Sequence, residues 1–197
     1  MNTANSFWEP QWQCQAFKIS PGEYKVTDEP VVLTTVLGSC ISACLHDPLL
    51  NFGGMNHFML PDASSNSDPE QPLRYGLFAM EKLINKMMKL GSDRNNLEIK
   101  VCGGGEMMQW KTKIGRQNID FIESFINRDG LKLTASDLGG SSPRKVAFFP
   151  TTGRLLIKKI KPQLASQLAL EEQQYQSQVQ VQQQLNSPDI LLFGRES

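Results

Sequence analysis

The sequence carries no net charge, because twenty Lys and Arg residues balance twenty Asp and Glu. A neutral chain has no general attraction to nucleic acid or to an anionic membrane surface, so neither is expected as a partner. No apolar run approaches the length of a membrane span, so membrane insertion is not expected. Met1 to Pro10 lacks a basic region followed by an apolar stretch, and no signal peptide is expected. Cysteine is sparse and irregularly spaced, at positions 14, 40, 44 and 102. With 40% hydrophobic residues the chain can build a core without disulfides, so reduced thiols and a cytoplasmic location are expected. Histidine is scarcer still, with only His46 and His57. The glycine run Gly103-Gly104-Gly105 continues neither as Gly-Lys-Ser/Thr nor as Gly-x-Gly-x-x-Gly. It reads as a tight backbone turn beside a site, not as a phosphate cradle, and no cofactor is expected.

The chemistry present gathers in two stretches. Thr34-Thr35-Val36-Leu37-Gly38-Ser39-Cys40 is an apolar run ending in a glycine and a thiol. Gly53-Gly54-Met55-Asn56-His57-Phe58-Met59-Leu60-Pro61 places a histidine in another apolar run. Strands are expected at Val31 to Val36 and His57 to Leu60. The turn residues of Asp47-Pro48-Leu49-Leu50-Asn51-Phe52-Gly53-Gly54 reverse the chain between the two stretches, bringing Cys40 and His57 together. A free thiol titrates near 8.5, so it needs a neighbouring imidazole to hold it as a thiolate–imidazolium pair. A third group usually orients the imidazole, and Thr34 is the candidate. The amides near Gly38, Ser39 and Cys40 are candidates for an oxyanion hole.

These residues resemble the CheD family of chemoreceptor glutamine deamidases. The likeness runs from Leu-Gly-Ser-Cys at 37–40 through Asp47-Pro48 and the 53–61 stretch. It continues in Arg74-Tyr75-Gly76, Gly103-Gly104-Gly105, Ile114-Gly115-Arg116-Gln117-Asn118 and Asp137-Leu138-Gly139-Gly140, and ends near Arg144-Lys145-Val146 and Lys158-Lys159-Ile160. The resemblance implies a Cys-His-Thr triad at Cys40, His57 and Thr34. Beside these, Gly38, Ser39 and Asn56 are expected to bind the oxyanion or substrate. It implies a fold similar to toxin-type cysteine hydrolases, and glutamine-to-glutamate conversion on the cytoplasmic helices of methyl-accepting chemotaxis receptors. It also implies an alternative role as a non-catalytic regulatory partner of a CheC-type CheY-P phosphatase. A zinc site at Cys40, Cys44, His46 and His57 is disfavoured, because Cys40 to His46 would spread along about 20 Å of strand.

Residues 1–16 read as a loose arm and 17–162 as the deamidase domain. Helices are expected from about Leu73 to Leu90, with Leu77, Met80, Ile84 and Met87 or Met88 inward, and from Gln117 to Asn127. Further strands are expected at Cys40 to Asp47, Leu97 to Cys102, Leu131 to Ala135, Lys145 to Phe149 and Leu155 to Ile160. Two helices beside about seven short strands make an α+β layered sandwich with a mixed, mostly antiparallel sheet core. Asp62 to Pro72 reads as a polar loop. Residues 163–187, rich in glutamine, read as a disordered or weakly helical linker, and 188–197 as a hydrophobic C-terminal tail.

Overall fold

The computed structural model describes residues 6–60, 71–106 and 114–161, together with Glu172, Gln174, Tyr175 and Ser177. Pro61, most of the expected polar loop, Met107, Met108 and the 188–197 tail lie outside the described residues. The described chain contains ten strands: β1 (Ser6–Glu9), β2 (Cys14–Lys18), β3 (Tyr24–Thr27), β4 (Val32–Leu37), β5 (Ile41–Asp47), β6 (Phe52–Asn56), β7 (Glu98–Gly103), β8 (Lys132–Leu138), β9 (Arg144–Phe149) and β10 (Arg154–Lys159). Two α-helices accompany them, α1 (Gln71–Lys89) and α2 (Ile114–Asp129). The strands form two five-stranded sheets, ordered β1-β2-β4-β9-β10 and β3-β6-β5-β7-β8. Only β2–β4 and β7–β8 pair in parallel. This is an α+β layered fold, as expected, with the two sheets as separate layers.

The layering follows from which face of each strand is apolar. Ile41, Ala43 and Leu45 of β5 join Ile99 and Val101 of β7 against Met80, Leu83, Ile84 and Met87 of α1 and Ile119, Ile122 and Phe125 of α2. The opposite face of the same sheet offers Cys44, Met55 and Cys102 to Leu33, Leu37, Val146 and Phe148 of the other sheet. All seven residues of β5 are therefore buried. Each fully buried Leu or Ile here contributes about 1.5–3 kcal/mol. Gly91, with φ +106°, stops α1 where expected, and Ser92 N–H closes back onto Met87 O at 3.2 Å.

Three expectations need correction. The N-terminal arm contributes β1 and β2 to a sheet edge, and Trp12 packs edge-on against Phe149 with ring centroids 5.2 Å apart. The Gly53-Gly54 pair belongs to β6 and not to the turn. A Cβ on Gly53 would lie 2.5 Å from the Leu45 carbonyl oxygen, so the close approach of β5 demands glycine there. The reversal is made upstream, where Asp47 Oδ1 accepts from the Leu49 and Leu50 amides and Asn51 takes φ +53°. His57 consequently follows β6 instead of opening a strand, and only an isolated bridge, Ile41 with Phe58, continues the pairing.

Candidate active site

Residues 38–40 carry the chain from β4 in one sheet to β5 in the other. Each of their carbonyls is already engaged. Gly105 N–H donates to Gly38 O at 2.7 Å, the Asn118 side-chain amide to Ser39 O at 2.9 Å, and Gly104 N–H to Cys40 O at 2.8 Å. Their amides converge on one point, where the Glu172 carboxylate accepts from Gly38 N–H at 2.8 Å, Ser39 N–H at 3.0 Å and Cys40 N–H at 3.3 Å. The Ser39 hydroxyl donates to the same carboxylate at 2.7 Å. Gly38 and Ser39 are thus both at the site, in the arrangement an oxyanion hole requires.

His57 lies at the same end of the β5–β6 hairpin. The Ile41–Phe58 bridge sets Cys40 opposite Met59 and Ser42 opposite His57, with these four residues on the face that meets the other sheet. Cys40 and His57 are therefore diagonal neighbours across a strand pair, a relation in which Cα atoms stand about 7–8 Å apart and long side chains meet. His57 Nδ1 lies 2.9 Å from Thr35 Oγ1 and 3.2 Å from Ile19 O. A carbonyl only accepts, and the Thr35 hydroxyl donates to Ile19 O at 2.8 Å. Nδ1 must then carry the proton. That leaves Nε2, buried and without a hydrogen-bond partner, with its lone pair available as a base.

The hydroxyl that meets His57 Nδ1 is that of Thr35, not of Thr34. Alternation along β4 turns successive side chains to opposite faces, and Thr34 Oγ1 donates to Val146 O at 2.7 Å in the neighbouring strand. The two threonines are adjacent, and the choice depends on which face of β4 meets the hairpin. Asn56 also leaves the oxyanion role. Its side chain accepts from Ala43 N–H at 2.9 Å and donates to Ala79 O at 3.2 Å, tying β5 to α1. His46 stands at the far end of β5, paired with Gly53.

Removing the orienting hydroxyl should therefore separate the threonines. Thr35→Ala is expected to lower kcat by about tenfold or more, with Thr35→Ser restoring it and Thr34→Ala staying near wild type. Steady-state turnover of the substrate expected from the sequence, a glutamine on a helix, followed as ammonia release, is the measurement.

Three residues of the site were given no role from the sequence, although Asn118 and Arg144 lie in motifs that carry the family likeness. Asn118 is fully buried and spans the nucleophile loop and Leu60, whose N–H donates to its Oδ1 at 2.8 Å. Its place on α2, inside an otherwise apolar face, was the available signal. Arg144 is buried against Asp137 at 2.8 Å and the Gly139 carbonyl, and Gly139 N–H reaches Gly103 O at 2.9 Å, bracing the glycine turn behind Cys40. Glu172 had no signal in its composition-biased surroundings.

Burial pushes the Cys40 thiol well above its ordinary range, and the charge and hydrogen bonding of Glu172 push it the same way. Burial lowers His57, partly offset by the Ile19 carbonyl and the Glu172 charge. With Glu172 seated the pair therefore rests as thiol and neutral imidazole, not as the expected thiolate–imidazolium pair.

Comparison with known proteins gives this geometry a context. The family model described as CheD chemotactic sensory transduction matches residues 59–159. A protein of Thiobacillus denitrificans named probable chemoreceptor glutamine deamidase CheD is 44% identical over 181 residues, covering 89% of each chain. A protein of the same name from Halorhodospira halophila, 43% identical over 96% of this chain and 89% of its own, and one of Shewanella oneidensis named probable chemoreceptor glutamine deamidase CheD 1, 40% identical over 98% and 95%, match nearly end to end. The chain belongs to the CheD family. The family-model match begins after both Cys40 and His57, so the CheD assignment of that stretch rests on the relatives that match nearly end to end. No helix among the described residues of this CheD chain is long and apolar enough to cross a membrane.

Proposed function

We propose that this protein is a protein-glutamine deamidase that converts glutamine side chains on the cytoplasmic helices of methyl-accepting chemotaxis receptors to glutamate. One observation carries the reading: three consecutive amides and a hydroxyl hold a side-chain carboxylate against Cys40. A site that grips the end of a glutamate side chain suits the product of this reaction, and the same donors suit the oxyanion on the way to it. The names of the CheD relatives support the substrate class.

In the proposed reaction Cys40 passes its proton to His57 Nε2 and attacks the glutamine side-chain carbonyl carbon. The developing oxyanion faces the amides of Gly38, Ser39 and Cys40. His57 returns the proton to the leaving nitrogen, ammonia departs and a thioester remains. Water then adds, giving its proton to His57, and the C–S bond breaks to yield glutamate and the restored thiol. Thr35 and the Ile19 carbonyl hold Nδ1–H throughout, so that Nε2 alone exchanges protons.

The test is incubation with a purified receptor cytoplasmic fragment, followed by peptide mass spectrometry. Conversion of specific glutamines by wild type and none by Cys40→Ala is the expected result. An unmodified receptor fragment at saturating enzyme would refute the reading, and tight binding to a CheC-type phosphatase alongside that result would turn attention to the regulatory role.

A further inference from the structure

The occupant of the oxyanion site comes from the chain's own C-terminal segment, 132 positions beyond Cys40 in the sequence. Glu172, Gln174, Tyr175 and Ser177 are helical, and Glu172 is buried. Its carboxylate takes all four polar donors of the nest. The fit is close on the floor of the site, since a Cβ on Gly38 would lie 2.9 Å from a Glu172 oxygen. One helical turn further on, the Tyr175 hydroxyl hydrogen-bonds to the Tyr75 hydroxyl of α1. Tyr175 also walls a cavity of about 350 Å³ that opens onto His57 between Pro21–Tyr24 and α1. A Cβ on Gly22 would meet the Tyr175 hydroxyl at 2.6 Å. The contact is therefore anchored at two points, the acyl site and the rim.

We propose that Glu172 is an in-cis product mimic: the C-terminal segment seats a glutamate in the acyl site on a helix, as a deamidated receptor would, and must leave before a receptor glutamine enters. This rests on the deamidase reading for its chemistry, though the occupancy itself does not. It also deepens that reading. The site takes a glutamine or glutamate on helical backbone, with a tyrosine three residues later resting against Tyr75. An extended peptide would not place both groups.

The sharpest consequence is that Glu172→Gln turns the mimic into a substrate. Cys40 would attack the new carboxamide carbon, ammonia would leave with a proton from His57, and water would release residue 172 as glutamate. The atoms balance as glutamine plus water giving glutamate plus ammonia.

Two measurements on the full chain test this. In the first, Glu172→Gln protein is digested and the peptide containing residue 172 is weighed. Glutamate at 172 is expected, and glutamine is expected to persist in the Glu172→Gln, Cys40→Ala double variant. Persistent glutamine in the single variant, in a preparation that still deamidates receptor fragment, would overturn the proposal and leave the deamidase reading intact. The second measurement needs no catalysis. Iodoacetamide labelling of Cys40, resolved by peptide mapping, is expected to be slow in wild type and at least about tenfold faster in Glu172→Ala, because the thiol gains access and loses an opposing charge. Unchanged labelling would overturn the proposal. Faster labelling without deamidation of residue 172 or of receptor would uphold the in-cis occupancy and sink the deamidase reading.

Discussion

Cys40→Ala is expected to reduce deamidation of a receptor fragment to background, and His57→Ala to the same floor. In the proposed reaction the thiol is the attacking atom, and no neighbouring group replaces it. Cys44 points into the same inter-sheet core four residues along β5, where burial raises its pKa, and Cys102 is pushed up to about 12 by burial. General-base assistance of this kind is worth about 10²- to 10⁴-fold. Because the two residues act as one unit in the proposed reaction, the double variant should lose little beyond either single one. The fold should survive both changes, since Cys40 sits in a loop held by backbone hydrogen bonds that a methyl side chain leaves in place. The pH profile carries a matching signature. In the proposed reaction neutral His57 is the base, and burial lowers its pKa. The activity is present above that depressed value and is lost as pH falls through it, so the acid limb of kcat/KM should lie below the ordinary imidazole value of about 6.5. An acid limb well above 6.5 would contradict a buried neutral base. Activity in Cys40→Ala would end the nucleophile assignment.

Gly103→Ala is expected to be the most damaging single substitution outside the catalytic pair. Gly103 adopts φ +118°, a conformation that side chains other than hydrogen rarely tolerate, and a Cβ there would lie 2.0 Å from the Cys40 carbonyl oxygen. That obstacle is backbone and cannot rotate away. Relief requires moving either β7 or the nucleophile loop, which would break the Gly104 and Gly105 contacts that turn the three amides toward the acyl site. A loss of about 3 kcal/mol or more is expected, from conformational strain and the clash together. Gly130→Ala is the control. It also has positive φ, at +63°, but nothing lies within 4 Å of its added Cβ, so it should cost only about 1 kcal/mol. Chemical denaturation of the three proteins makes the comparison. Equal stability for the two variants would show that the Gly103 contact relaxes freely.

Much of this was legible in the order of residue types, for reasons that are local. The stripe of Met80, Ile84 and Met87 announced α1 because helical periodicity does not depend on the partner it meets. Cys40 and His57 could be paired because a short reversal between two apolar runs leaves few alternatives to a hairpin. Gly103-Gly104-Gly105 read as a backbone turn beside the site because no phosphate motif accompanied it. Gly38 and Ser39 followed from their position next to the thiol. Local pattern thus determined most of the element types and the α+β class, and it put forward the two groups of the proposed reaction.

What tertiary structure decided was orientation and long-range company. Thr34 and Thr35 are chemically equal in the sequence, and only the packing of one sheet on the other selects the face of β4 that reaches His57. Asn56 looked like a site residue by adjacency, but strand alternation turns it to α1, one residue from a side chain that faces the opposite layer. The N-terminal arm became β1 and β2 because a sheet edge supplied the hydrogen bonds its own sequence could not signal. Glu172 lay hidden in a stretch whose composition promised a linker. Its role depends on three amides and a hydroxyl more than 130 residues away, and no pattern within the segment encodes a contact whose other half is elsewhere in the fold.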